Sequence, residues 1–193
     1  MNFRTDLALE RRELLGKEDI SGVESRESDR GNAHVTEIRI TDDEGAEKLG
    51  KPKGRYITVE VPPFSDEAEM LDERLDALKE AIASLIPSEG LVLVAGLGND
   101  EITPDSFGPK TSRKLLATRH ITGEVAHAVG LGDLRPVAGI TPGVLGQTGI
   151  ETGEIIKGVA QSVKPAAVVV VDALASRSLS RLGRTVQLSD TGI

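Results

Sequence analysis

A chain of 193 residues with 38% hydrophobic content is long enough to bury the core of one domain, and with three Phe, one Tyr and no Trp that core is aliphatic. The absence of cysteine excludes disulfides, a cysteine nucleophile and thiolate metal sites. The formal charge of −8, from 31 acidic against 23 basic residues, argues against broad binding of nucleic-acid phosphates.

Residues 1–33 are polar and charge-rich, and the start of the chain lacks the apolar stretch of a secretory signal. TDLALERRELL (5–15) predicts a helix with Thr5 as its N-cap, and ESRESDRGN (24–32) reads as an exposed loop. HVTEIRI (34–40) and GRYITVEV (54–61) alternate apolar and polar residues as half-buried strands do. TDDEGAEKLGKPK between them reads as a loop with a short helix. In 66–86, Leu71, Leu75, Leu78, Ile82 and Leu85 recur at steps of four and three, which predicts an amphipathic helix capped by Ser65 and ended by Pro87.

GLVLVAGL (90–97) is apolar on both faces, as a covered parallel strand is. A helix is expected to run through KTSRKLLATRH (110–120), and another over ETGEIIKGVAQSVK (151–164). AAVVVVDAL (166–174) predicts a second doubly apolar strand and RTVQLSD (184–190) a third. Strands alternating with helices imply an α/β fold with a mainly parallel, helix-covered sheet and an N-terminal β-rich extension, in one domain over 1–193. The longest apolar run, AAVVVVDALA, is broken by Asp172 and too short to span a bilayer, so a cytoplasmic protein without membrane contact is expected.

In open α/β sheets ligands bind beyond the carboxyl ends of the strands. AGLGNDEITPDSFGP (95–109) follows one buried strand, and Asp172 ends another. AGLGN resembles the start of a dinucleotide fingerprint, but Glu101 stands where the third glycine is needed, and Asp100 and Asp105 would repel a phosphate. Gly96 and Gly98 read instead as a tight exit from the strand. Taken singly, Asp105 suits the first turn of a helix opened by Thr103 and Pro104, and Asp172 suits a cap on the turn that follows it. Whether the two strands are neighbours is not given by the sequence; if they are, two carboxylates meet at one sheet edge, which suits acid–base activation of a water, or the holding of a divalent metal.

RPVAGITPGVLGQTGIETGEIIKG (135–158) reads as a glycine-rich loop entering a helix at Glu151, with backbone N–H groups for a peptide carbonyl or carboxylate. Asn99 on the first loop and Gly143, Gly146 and Thr148 on the second are the candidate substrate-binding positions. His120 suits a helix C-terminus, and His127 suits a buried position in a strand or helix. No HExxH pair occurs, and Ser106, Ser176 and Ser178 lie in no G-x-S-x-G elbow.

RTDLALE (4–10), EGAEKLGKPKGRYITVEVP (44–62), VAGLGNDEITPDSFGPKTSRKLLATRH (94–120), RPVAGITPGVLGQTGIETGEIIKGV (135–159) and VVVVDALASRSLSRLGRTVQLSDTGI (168–193) together resemble the spore germination protease family, endopeptidases that degrade small acid-soluble spore proteins. The resemblance implies a fold like that of the hydrogenase maturation peptidases and an atypical aspartic-type site at Asp105 and Asp172; no cofactor is expected, and the sequence does not decide whether a metal is bound. It implies a zymogen that cuts itself between Asp6 and Leu7, releasing a propeptide of residues 1–6. It also implies a homotetramer in the spore core that acts on these spore proteins and contacts no nucleic acid directly. Family members continue past SDTGI, so a truncated chain is expected, and whether such a core is active or inactive on its own is not given by the sequence. The competing readings are a metal-dependent maturation-type peptidase on the same fold and a non-catalytic module that holds peptides.

Overall fold

The computed structural model describes residues 5–16, 20–62, 73–121, 123–128, 130 and 134–192. In chain order the helices are α1 (Ala8–Leu15), α2 (Asp43–Leu49), α3 (Glu73–Ala83), α4 (Phe107–Arg113), α5 (Gly123–Ala128), α6 (Leu145–Thr148) and α7 (Thr152–Val163). The strands are β1 (Val23–Arg30), β2 (Ala33–Ile40), β3 (Gly54–Glu60), β4 (Val92–Gly96), β5 (Val137–Ile140), β6 (Ala167–Val171) and β7 (Thr185–Ser189). They form two compact units, Met1–Ile86 with Leu174–Ile193, and Pro87–Ala173. The fold is α/β, with one antiparallel and one parallel sheet rather than one mainly parallel sheet.

The first unit is an antiparallel sheet in the order β1-β2-β3-β7. Strand periodicity sends Ile38, Ile40 and Tyr56 to one face, where they pack with Ala8 and Leu9 of α1 and Leu49 of α2. Ile57, Val59 and Val61 point to the other face and pack with Ala77 and Ala81 of α3. The buried stripe of α3 is therefore centred on its alanines, whose small side chains let the helix lie close to the sheet. Ile82, expected inside, is 36% exposed. Leu71 and the cap at Ser65 lie outside the described residues.

Residues 24–32, expected to be a loop, are mostly strand. β1 pairs with β2 from Val23↔Ile40 to Arg30↔Ala33, leaving Gly31 and Asn32 as a two-residue turn. Its charges face opposite charges across the ladder, Glu24 opposite Arg39 and Arg26 opposite Glu37. A polar strand of this kind has no hydrophobic period and is visible only with its partner. α1 also begins later than expected. Leu7 is its N-cap, while the Thr5 hydroxyl accepts the Leu7 N–H and donates to Glu10. RTVQLSD supplies β7, which runs antiparallel to β3 from Tyr56↔Ser189 to Glu60↔Thr185. Its residues are all half-buried, unlike the doubly apolar strands that fill parallel sheets.

In the second unit β4 lies between β5 and β6, parallel to both. β5 was expected to be part of the glycine-rich loop, because it is only four residues long and contains Gly139. A Cβ at Gly139 would lie 3.0 Å from Leu115 Cδ2, so the glycine lets the chain after α4 pack on the strand. The expected helix through 110–120 stops at Arg113. Thr118 explains the stop: its backbone N–H donates to Val137 O (2.9 Å), its hydroxyl donates to Arg135 O (2.7 Å), and it accepts the Val137 N–H (2.9 Å). These bonds hold the chain against β5. His120 accordingly sits in an exposed turn and not at a helix end, and His127, expected to be buried, is exposed in the last turn of α5. Arg135 ties the start of the unit together by donating to the carbonyls of Pro87, Glu89 and Gly90. Among the described residues no helix is long and apolar enough to cross a membrane.

Candidate active site

The carboxyl ends of β4 and β6 are joined in register, Gly96 opposite Val171. The ladder runs one step further, with Leu97 N donating to Val171 O at 2.8 Å. Asp172 is the next residue on one strand, and Asn99 comes two residues after Leu97 on the other. The start of α4 rides directly over this edge. A Cβ at Gly108 would lie 2.3 Å from Leu97 O and 2.4 Å from Val171 O, so the close approach of helix backbone to strand ends requires glycine. Gly96 makes the matching contact, 2.1 Å from Gly108 O to its would-be Cβ. The two glycines that mimic a nucleotide fingerprint thus serve packing and a tight exit.

Between β4 and α4 the chain makes one 3-10 turn, Thr103–Asp105, with Pro104 in its first positions. Ser106 is buried; its hydroxyl donates to Thr103 O (2.9 Å), and its carbonyl accepts the Lys110 N–H (3.0 Å). This turn folds Asp105 back onto the strand exit, where its Oδ2 accepts the Asn99 N–H at 2.7 Å. Gly98, at φ 113°, makes the return possible, since a Cβ there would lie 2.0 Å from Asp105 O. Asp172 is held in a comparable way, with Oδ1 accepting the Ala173 N–H at 2.7 Å. Both carboxylates are half-buried, and each has one oxygen on a backbone N–H. Among the described residues no donor reaches Asp105 Oδ1 or Asp172 Oδ2. Two open carboxylate oxygens at the ends of adjacent strands can take and give protons, and can polarise a water.

The neighbouring loop positions divide. Asn99 Oδ1 accepts from Glu101 N (2.9 Å) and from Gln147 Nε2 (3.0 Å), which brings α6 to the site. Gly143 sits at φ 77°, and its carbonyl accepts from Thr152 Oγ1 at the start of α7, so the backbone of the loop requires it. The Thr148 hydroxyl is engaged within its own turn, with Val144 and Ile150. Gly146 has open space around it. Gln147 was missed in the sequence because its partner lies 48 residues away and its own turn is exposed and glycine-flanked. Asp100 pairs with Arg113, whose hydrogen bond holds the Asp100 carboxyl below its usual range and links the loop to the end of α4. Among the described residues no group of three or more His, Asp or Glu side chains is arranged to hold a metal.

Asp6 and Leu7 lie in the antiparallel unit. Asp6 N donates to Ala175 O (3.0 Å), Asp6 Oδ2 accepts the Ala175 N–H (3.0 Å), and Asp6 O accepts from Gln187 Nε2 (3.2 Å). Gln187 Oε1 in turn accepts the Ala8 N–H at 2.7 Å, and Leu7 is 2% exposed. The Asp6–Leu7 peptide is pinned to β7 from both sides, so a protease reaches it only after these bonds open. Two further residues were not singled out in the sequence. Glu10, 2% exposed, accepts from Thr5, Ser176, Arg177, Ser178 and Arg181. Arg181 also pairs with Glu13 and Glu60, hydrogen bonds that raise its guanidinium further above its usual range.

A family model described as germination protease matches residues 4–193. Proteins called germination protease are similar along the chain: one from Caldanaerobacter subterraneus at 44% identity over 196 residues, one from Clostridium perfringens at 44% over 199, and one from Priestia megaterium at 40% over 209. Each alignment covers 100% of this chain but only 60%, 61% and 55% of the relative, so the chain spans little more than half the length of these proteins. A match along nearly its whole length, at this identity, makes the chain a member of the germination protease family.

Proposed function

We propose that the chain carries the catalytic core of an endopeptidase that hydrolyses small acid-soluble spore proteins during germination, using Asp105 and Asp172 to activate water. The observation that supports this most is the shared sheet edge: β4 and β6 are joined in register, and Asp105 in the turn after β4 and Asp172 just after β6 each have one oxygen fixed by a backbone N–H and one open. One carboxylate takes a proton from a water whose oxygen attacks the scissile carbonyl carbon. The other, protonated, gives its proton to the nitrogen as the C–N bond breaks. The two act as a coupled pair, so the proton exchanged belongs to both. The loop after β4 and the Asp after β6 also support kinship with the hydrogenase maturation peptidases. Self-processing between Asp6 and Leu7, assembly as a homotetramer and residence in the spore core belong to the same reading, which rests on family membership.

The test is cleavage of a purified small acid-soluble spore protein by this chain, and by a chimera carrying the rest of the Caldanaerobacter relative after Ile193. Asp105→Asn and Asp172→Asn are each expected to lower kcat by about a thousandfold or more, as loss of an acid–base group does. Parental rates in either variant, or no cleavage by either parent, contradict the reading.

A further inference from the structure

We propose that Gln147 is a positioning residue for Asp105, acting through Asn99. The inference rests on the role given to Asp105 above. Gln147 is an exposed residue on a four-residue helix, where packing asks nothing of it. Yet its side chain is fixed at both ends. Nε2 donates to Asn99 Oδ1 at 3.0 Å, and Oε1 accepts the Val144 N–H at 3.4 Å. A side chain at Gly143 would crowd it, with Cβ 3.2 Å from Oε1, so the left-handed glycine keeps the space that Gln147 occupies.

Asn99 is the point where this restraint meets the carboxylate. Its Oδ1 is shared between Gln147 Nε2 and Glu101 N, and its own N–H points at Asp105 Oδ2 at 2.7 Å. The peptide plane that carries this N–H follows Gly98, the least restricted residue type, so a bond from outside the loop adds to the restraint that Glu101 N and Ile102 N give Asn99 from within it. The Gln147 bond spans 48 residues and joins the exit of β4 to the segment between β5 and α7. The same segment is anchored by the Thr152 hydroxyl on Gly143 O at 3.1 Å. With Asn99 fixed, Oδ2 of Asp105 stays engaged and Oδ1 is the oxygen left for a water. Without the Gln147 amide, Asn99 keeps only the bonds of its own loop, from Glu101 N to its Oδ1 and from Ile102 N to its carbonyl, and the open oxygen is less firmly held.

Gln147→Met keeps the length of the side chain and removes the donor, and Gln147→Glu keeps the shape and removes it too. Three readouts decide the matter, in this chain and in the chimera with the Caldanaerobacter relative. In the 193-residue chain, hydrogen exchange at the Asn99 amide is expected to speed up roughly five- to tenfold, the worth of one net hydrogen bond, with the melting temperature lowered by no more than about 2–4 °C. In whichever parent cleaves the spore protein, kcat is expected to fall by a similar factor with KM within about twofold, since the residue acts on geometry and not on substrate binding. In an Asp105→Asn background the Gln147 effect on kcat is expected to vanish. Asn99 exchange at the parental rate in both variants overturns the proposal, as does a rise in KM at constant kcat. If neither parent cleaves, the protease reading fails, and the Asn99 amide still decides whether Gln147 holds it.

Discussion

Glu10→Gln removes one charge from the antiparallel unit without changing its shape. Glu10 Oε1 accepts from Ser176 Oγ (2.9 Å), Ser178 N (3.0 Å) and the Arg181 guanidinium (3.3 Å), and Oε2 accepts from Arg177 N (2.7 Å) and the Thr5 hydroxyl. Burial pushes the carboxyl up, but the bonds from Thr5, Arg177, Ser178 and Ser176 together outweigh it and hold the pKa at about 2 against 4.5. That difference corresponds to about 3 kcal/mol of stability for the ionised form. Because the folded value lies below the unfolded one, the contribution is fully present above pH 4.5 and is lost as the pH falls toward 2. A glutamine offers one acceptor oxygen where the carboxylate offers two, so its NH₂ must face a donor on one side. At pH 6 the variant is expected to melt roughly 6–12 °C lower, at 2–4 °C per kcal/mol. The gap should close as the pH is lowered from 5 to 2, while exchange at the Arg177 and Ser178 amides is faster in the variant at pH 6. Equal melting temperatures at pH 6, or a gap that does not change with pH, would refute the assignment of this stability to the Glu10 charge.

Gly108→Ala drives a Cβ to 2.3 Å from Leu97 O and 2.4 Å from Val171 O, both backbone atoms, and is expected to cost on the order of 3 kcal/mol, read as a lower denaturation midpoint. A parental midpoint would mean the close approach is not there. Arg135→Lys leaves one ammonium for the three carbonyls of Pro87, Glu89 and Gly90, with an expected loss of about 1–2 kcal/mol in the same assay, and no loss would remove the clamp from the account. Gln187→Leu releases Asp6 O and Ala8 N together. An added Asp-specific protease should then cut between Asp6 and Leu7 roughly tenfold faster, and an unchanged rate would show that Gln187 does not guard that bond.

What was legible in the sequence follows from where the hydrophobic period is strong. The runs at 90–97 and 166–171 are apolar at every position, and they supply β4 and β6, the pair beside the candidate site. Their adjacency was the open question, and the register Gly96↔Val171 answers it. β1 was not legible because it is polar along most of its length, with Glu24 and Arg26 opposite Arg39 and Glu37 in the ladder, and leaves no apolar signal. β5 was hidden by its shortness and by Gly139. The early end of α4 depends on Thr118 bonding to Arg135 and Val137, which a local helix pattern does not contain. Asp105 and Asp172, the proposed pair, stood out as carboxylates in the segments that follow two apolar runs; elsewhere in the chain the signals are weaker. Gln147, Gln187 and Glu10 did not stand out, because each takes its meaning from a partner far along the chain.

A double-mutant cycle shows whether Asp105 and Asp172 act on one water. Measured as kcat/KM on a small acid-soluble spore protein, Asp105→Asn, Asp172→Asn and the double variant should all fall to about the same residual rate, because members of one catalytic unit lose little more together than singly. If the two losses instead multiply, the aspartates act independently, and the account of a shared water at the ends of β4 and β6 is wrong.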